Sequence, residues 1–424
     1  MILTRYYIHC QCLGLIYYLY NEQVVKMQKE KLVIILTVLI DVLGMGIVIP
    51  VMPFYLQSFG ASPLTITLLF SVFSLCAFLS SPILGALSDK IGRRPVLLVS
   101  ILSTAIGWFV FASANVLWIL FLGRIVDGLA AGNIPTAQSY LSDLSKTDKE
   151  RSANLGMIGA IFGIGFIIGP AIGAILATVS TSFPFWFVGV LATINVIAAY
   201  FFLPESHHNR NHDSKINLNP IVPIVGAFKD KALRSRYLAW FLYGMGLAAQ
   251  QAIFALYLNY RFGFTAAITG YIMTAMGIAL VVNQGFLLKN FWLKKFKEST
   301  IEVWFFLVAA ISFLILTVPS FAIFSIGLII MIMTQSVIRV VMSSRAAGIA
   351  GHQRRGEVMG IMSSVLSASM VVGPLVAGLL FQTHKLMPFI FAAFSIFLAF
   401  VVMKRSHKEP EDKYEELPSV PEAL

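Results

Sequence analysis

A chain of 424 residues that is 58% hydrophobic and only 12% charged lacks the charge to cover a water-facing surface of its size. Its apolar residues come in blocks of roughly 18–26, the length that crosses a bilayer, and a soluble helical protein would show apolar stripes instead. The net charge of +11 would suit a nucleic-acid surface, but the positions of the charges exclude one. Of the 31 Lys and Arg residues, 27 fall in alternate inter-block segments. These are the N-terminal tail, Lys90 to Arg94, Lys146 to Arg151, Arg210 to Arg236, Lys289 to Lys297, Arg345 to Arg355 and the C-terminal tail. The other side carries Arg261 and Lys385, and Arg124 and Arg339 lie inside blocks. This is the positive-inside pattern, and it places both termini in the cytoplasm.

In chain order, a tail (residues 1–31) comes first. Its apolar run Leu13 to Tyr20 is too short to span, and no small-residue cleavage site follows it. Met27, ahead of Gln-Lys-Glu-Lys, would be a natural start, so residues 1–26 read as an extension. Spans are expected at 32–57, 65–88, 95–113, 115–142, 151–179 and 184–203. A polar cytoplasmic linker (204–235) separates them from spans at 236–260, 265–289, 300–318, 320–345, 356–381 and 386–404, and a tail (405–424) closes the chain. Cys10, Cys12 and Cys76 form neither a disulfide framework nor a metal-ligand spacing. His207, His208 and His212 read as part of a solvated linker, and no metal site is expected.

The two sets of six spans read as a repeat. RSANLGMIGAIFGIGFIIGP from Arg151 and RGEVMGIMSSVLSASMVVGP from Arg355 align with a shift of 204 residues, pairing Gly156 with Gly360, Gly169 with Gly373 and Pro170 with Pro374. The expectation is an all-α membrane protein of twelve transmembrane helices in two pseudo-symmetric six-helix bundles, related by an axis along the membrane normal.

Three motifs carry function. The turn between spans two and three reads GALSDKIGRRPVLLVS from Gly85. Asp89, Gly92, Arg93 and Arg94 put opposed charges on a tight turn, and Asp143, at the basic end of span four, is the expected partner of Arg93. Span four reads LGRIVDGLAAGNIPTAQ, with Arg124 inside the hydrocarbon and Asp127 three residues on, sharing its face. Span five carries Gly156, Gly165, Gly169, Pro170 and Gly173, a smooth face for close packing and a bend.

The Gly-x-x-x-Asp-x-x-Gly-Arg-Arg turn resembles the signature loop of the major facilitator superfamily, and the glycines of span five resemble its antiporter motif, with Ala174 in place of a last glycine. Residues 30 to 205 further resemble the tetracycline efflux carriers, through DVLGMGIVIPVMP at Asp41 to Pro53 and FFLPES at the end of span six. The resemblance implies the major facilitator fold, proton-driven export and a gating role for the Asp89 to Arg94 turn. Those carriers have an acid in span three, where Gly107 stands here, and another in span nine, where Phe305 to Thr317 has none. The framework is therefore similar, while the two missing acids argue against the tetracycline–magnesium cargo.

Among twenty acids only Asp41 and Asp127 lie well inside spans. Asp41 is roughly 14 Å into span one at helical rise. Asp41, Asp127 and Arg124 are the proton-coupling candidates. A proton crossing about 150 mV releases roughly 3.5 kcal/mol, which needs no cofactor. Cavity candidates are Asn133, Gln138, Gln250, Gln251, Phe254, Tyr257, Asn283 and Gln284. The reading is a monomeric exporter of drugs or small amphipathic metabolites in the bacterial inner membrane, exchanging small-molecule substrate for protons. The rivals are a proton-coupled nutrient symporter and a non-transporting receptor. No catalytic arrangement or nucleotide-binding P-loop occurs, and an enzyme is not expected.

Overall fold

Each apolar block forms a helix, because a backbone in hydrocarbon must satisfy its own hydrogen bonds. The computed structural model describes residues 2–145, 147–206, 228, 230 and 232–406, with backbone alone for 2–29, 148, 149, 152, 352 and 353. Among them, twelve helices are long and apolar enough to cross a membrane. The first half contains Glu30–Gln57, Pro63–Ile91, Arg93–Ala112, Leu117–Asp143, Ala153–Leu176 and Phe183–Phe202. The second contains Arg234–Phe262, Ala266–Lys295, Glu298–Ile315, Phe321–Ile349, Arg354–Thr383 and Met387–Ser406. They are called here the first to twelfth spans. Bulky apolar side chains such as Val99, Trp118, Ile194, Phe201, Ile326 and Phe394 point outward, as a lipid-facing surface requires.

Three boundaries depart from the sequence expectation. The backbone helix of the first span begins at Ile2, without interruption where the tail was expected to end. The fourth span is two helices, Leu117–Leu129 and Asn133–Asp143, broken at 130–132. There a Cβ on Gly132 would lie 3.0 Å from Leu84 Cδ1 and from Ser100 Oγ, so the second and third spans pack closely on the break. The eighth span runs on to Lys295 with its segment Asn283–Trp292 in π register. That wider winding brings the Trp292 indole N–H to Asn283 Oδ1 at 2.8 Å, nine residues back. Most of the linker, with its three histidines, lies outside the described residues, as does the tail after 406.

The repeat is visible in side-chain geometry. Tyr55 on the first span donates to the Ala112 carbonyl at the end of the third (3.3 Å) and packs on Phe185 of the sixth at 4.9 Å. Tyr257 on the seventh donates to the Leu316 carbonyl at the end of the ninth (2.9 Å) and packs on Phe389 of the twelfth at 4.5 Å. Ala112 and Leu316, like Phe185 and Phe389, are 204 residues apart, the shift read from the fifth and eleventh spans. An aromatic cluster thus seals the same end of each half.

Glycine sets which helices touch. A Cβ on Gly165, Gly169 or Gly173 of the fifth span would collide with Val42, Gly46 or Ile47 of the first. The halves meet where Gly270 abuts the Pro170 carbonyl and Ala174, where Gly277 abuts the Phe166 carbonyl, and where Gly378 sits on Thr67. Gln382 also donates to Ser62 Oγ at 3.2 Å. All these contacts lie from mid-span toward the aromatic ends. On the basic side, a Cβ at Gly85, Gly156, Gly159, Gly356 or Gly360 would meet nothing within 4 Å. The molecule is closed at the aromatic end and open toward the basic turns.

Candidate functional site

A polar group lies inside the first half. Asp41, half-buried on the first span, lies beside the Asn133 side chain and within electrostatic reach of Asp127. Its Oδ1 has no hydrogen-bond partner among the described residues. Met45, one turn along on the same face, is exposed. Asn133 opens the helix after the break in the fourth span and its amide reaches Thr104 Oγ1 at 3.4 Å. Asp127 holds Arg124 at 3.2 Å, and both are buried. The Arg124 guanidinium lies between two rings, 4.1 Å from the Phe73 centroid and 4.6 Å from Trp108. These aromatic walls replace water around a cation that would otherwise be costly in hydrocarbon. Neither ring is evident from spacing, since each comes from a different span.

Gly107, where the tetracycline carriers have their third-span acid, faces this group directly. A Cβ there would lie 2.9 Å from Asp127 Cβ and 2.9 Å from the Gly123 carbonyl. No side chain fits, and the fourth span supplies the carboxylate at that place.

The basic turn forms a second cluster. Arg93 reaches Asp89 at 2.5 Å, Asp143 at 3.1 Å through Nε and Ser88 Oγ at 2.6 Å. Glu205, from the FFLPES end of the sixth span, accepts the backbone N–H groups of Arg93 (2.8 Å) and Arg94 (3.2 Å). It thereby caps the third helix at its positive end. Arg94 donates to the Tyr200 carbonyl at 2.7 Å. Gly92, at φ 112°, is required because the Glu205 carboxylate occupies the space a Cβ would take. Glu205 was not among the expected residues. Its signal was the FFLPES ending itself, an acid one turn past a span.

The second half holds a charge-reversed counterpart. Glu302 on the ninth span, 1% exposed, accepts from Arg236 of the seventh at 2.7 and 3.2 Å and pairs with Arg345 of the tenth at 2.6 Å. A ninth-span acid therefore exists, but at the basic end.

The remaining cavity candidates divide. Gln138 and Gln284 are exposed and Gln251 is half-buried. Gln250 is buried on the face of the seventh span that carries Phe254 and Tyr257. Phe254 stacks on Phe324 at 6.5 Å, and Tyr257 is fully enclosed in the aromatic end, so neither ring faces open space. Asn283 is also enclosed and serves as a junction: its amide donates to the Met333 carbonyl at 2.9 Å and to Ser336 Oγ. Gly85 and Gly156 make no close helix approach in this state, unlike Gly165, Gly169 and Gly173. Among the described residues no group of His, Cys, Asp and Glu is arranged to hold a metal.

The family model described as Major Facilitator Superfamily matches residues 34–301 and 237–422. The chain belongs to the major facilitator superfamily. Its members are membrane transporters, and the helices described above are the major facilitator fold. Among curated relatives, the quinolone resistance protein NorA of Staphylococcus aureus (strain MRSA252) is 28% identical over 398 residues, covering 91% of this chain and 98% of its own. Multidrug resistance protein 2 of Bacillus subtilis (strain 168) is 27% identical over 383 residues, covering 87% and 92%. Tetracycline carriers are the looser comparison. Among solved structures, the nucleoside transporter NupG superposes with a TM-score of 0.72 at 15% identity over 91% of this chain and all of its own. The human organic anion transporter MFSD10 does so at 0.67 and 22%, over 89% of this chain and 99% of its own. At those identities the likeness is one of fold.

Proposed function

We propose that this major facilitator protein is a proton-coupled exporter of amphipathic drugs or metabolites, working by alternating access. One observation carries the reading. Asp41, half-buried inside the first span, keeps one buried carboxylate oxygen unpartnered, beside Asn133 and the Arg124–Asp127 pair. A carboxyl so placed binds a proton from one side and releases it to the other as the halves rock. Asp127 holds Arg124 and tunes the site, and the Asp89–Arg93–Asp143 turn braces the first half while the basic side opens and closes. The similarity to a quinolone resistance protein and a multidrug resistance protein supports drugs as cargo and export as direction. The positive-inside pattern supports a bacterial cytoplasmic membrane with both termini inside. The exporter acts as a monomer, driven by the proton gradient alone.

The test uses everted membrane vesicles energised to be acid inside, with norfloxacin or ethidium as substrate. An exporter accumulates the drug, and a symporter of the same orientation does not. Asp41→Asn should abolish gradient-driven accumulation while the purified protein stays monodisperse. Retained pumping by that variant would remove Asp41 from the coupling step.

A further inference from the structure

Arg339 stands at mid-span on the tenth helix, and nothing in the coupling site uses it. It is exposed, yet it does not lie on the lipid-facing arc of that helix, which Ile326 and Ile329 mark. At 100° per residue, Arg339 falls between two positions where other spans cover the tenth. On one side the Tyr243 hydroxyl of the seventh span donates to the Gln335 carbonyl at 3.3 Å. On the other, Asn283 of the eighth span bonds Ser336. The guanidinium is therefore exposed in the gap between the seventh and eighth spans, away from the lipid-facing arc.

The donors there outnumber the acceptors. The second half's buried acid, Glu302, is held by Arg236 and Arg345, and Arg339 has no carboxylate partner among the described residues. One turn away on the same face, Gln335 Nε2 is buried with no hydrogen-bond partner. The Tyr243 hydroxyl is within electrostatic reach of Arg339 but is directed to a carbonyl. A cation inside a span is costly unless something uses it, and a buried amide N–H without an acceptor adds to that cost.

Resting on the transport reading above, we infer that Arg339 and Gln335 form an anion subsite that takes the carboxylate of an amphipathic aromatic acid or zwitterion. The guanidinium offers two parallel N–H groups to a carboxylate, and the Gln335 amide supplies a third donor. With Asp41 on the facing half, the cavity carries opposite charges on its two walls, which suits a ligand with an acid at one end and an amine at the other.

The test is equilibrium binding to the purified full-length protein in phosphatidylcholine nanodiscs, without any gradient. The probes are naphthalene-2-carboxylate and naphthalene-2-carboxamide. The carboxylate should bind the native protein more tightly than the amide. Arg339→Gln should weaken carboxylate binding about tenfold or more and leave amide binding unchanged. Arg339→Lys should fall between, because it keeps the charge and loses the fork. Equal affinity for the two probes, or undiminished carboxylate binding by Arg339→Gln, overturns the subsite. So does loss of the probe when phosphatidylglycerol is added, which would assign the guanidinium to a lipid headgroup. Asp41→Asn is the companion variant: its failure to pump removes only coupling, and carboxylate binding should survive it.

Discussion

Asp127 stands over Gly107 so closely that a Cβ on the glycine would lie 2.9 Å from the aspartate's own Cβ. The third and fourth spans can approach this far because Gly123 is equally bare on its side: a Cβ there would lie 2.8 Å from the Gly107 carbonyl. Gly107→Asp, which would restore the acid of the tetracycline carriers, should therefore not graft their chemistry onto this chain. Overpacking of this kind costs about 1–3 kcal/mol or more, and a second carboxylate would crowd the first. The expected result is a lowered melting temperature and lost drug efflux, measured by thermal unfolding in detergent and by growth in norfloxacin.

Glu302 binds two guanidinium groups with almost no exposure. Glu302→Gln leaves both cations facing a neutral amide, and breaking a buried ion pair costs about 3–5 kcal/mol. The variant should express poorly or elute as aggregate on size exclusion. Glu302→Gln with native elution and melting would show that the triad does not hold the second half together.

Asp89 is the contrasting case, because its side chain is 55% exposed. Exposed ion pairs contribute about 0–1 kcal/mol, so Asp89→Asn should leave the melting temperature within a few degrees. Transport should fall several-fold through slower turnover. Unchanged rates in energised vesicles would remove Asp89 from gating.

Tyr55→Phe and Tyr257→Phe each delete one hydroxyl that bonds a helix-end carbonyl. If the halves are mechanical counterparts, the two variants should lose similar stability, about 1 kcal/mol each. A large difference between their melting shifts would mark the aromatic ends as unequal.

The twelve spans were legible because a bilayer demands long apolar runs, and the Asp89 to Arg94 turn because its charges are adjacent in sequence. The break in the fourth span was not: nothing in Ala130, Ala131 and Gly132 forbids helix. The π winding around Asn283 was equally hidden, since it depends on a tryptophan nine residues on. Tyr257 and Phe254 looked like cavity walls because an aromatic in a span can face ligand or neighbour alike, and only their rings' contacts with Phe389 and Phe324 decide it. Glu205 and Glu302 lie at span ends, and their partners on other helices are not adjacent in sequence.

Gly85, Gly156, Gly159, Gly356 and Gly360 have empty space where their side chains would be, while Gly169, Gly173, Gly270 and Gly277 are pressed against backbone. Small residues that touch nothing in one state are room kept for another. Gly156 and Gly360, one in each half at the same place in the repeat, are the surfaces on which the halves would close when the cavity turns to the far side. Leucine at either position should leave this state intact and trap it: a transporter that still loads cargo, never delivers it, and is labelled by thiol reagents from one side of the membrane only.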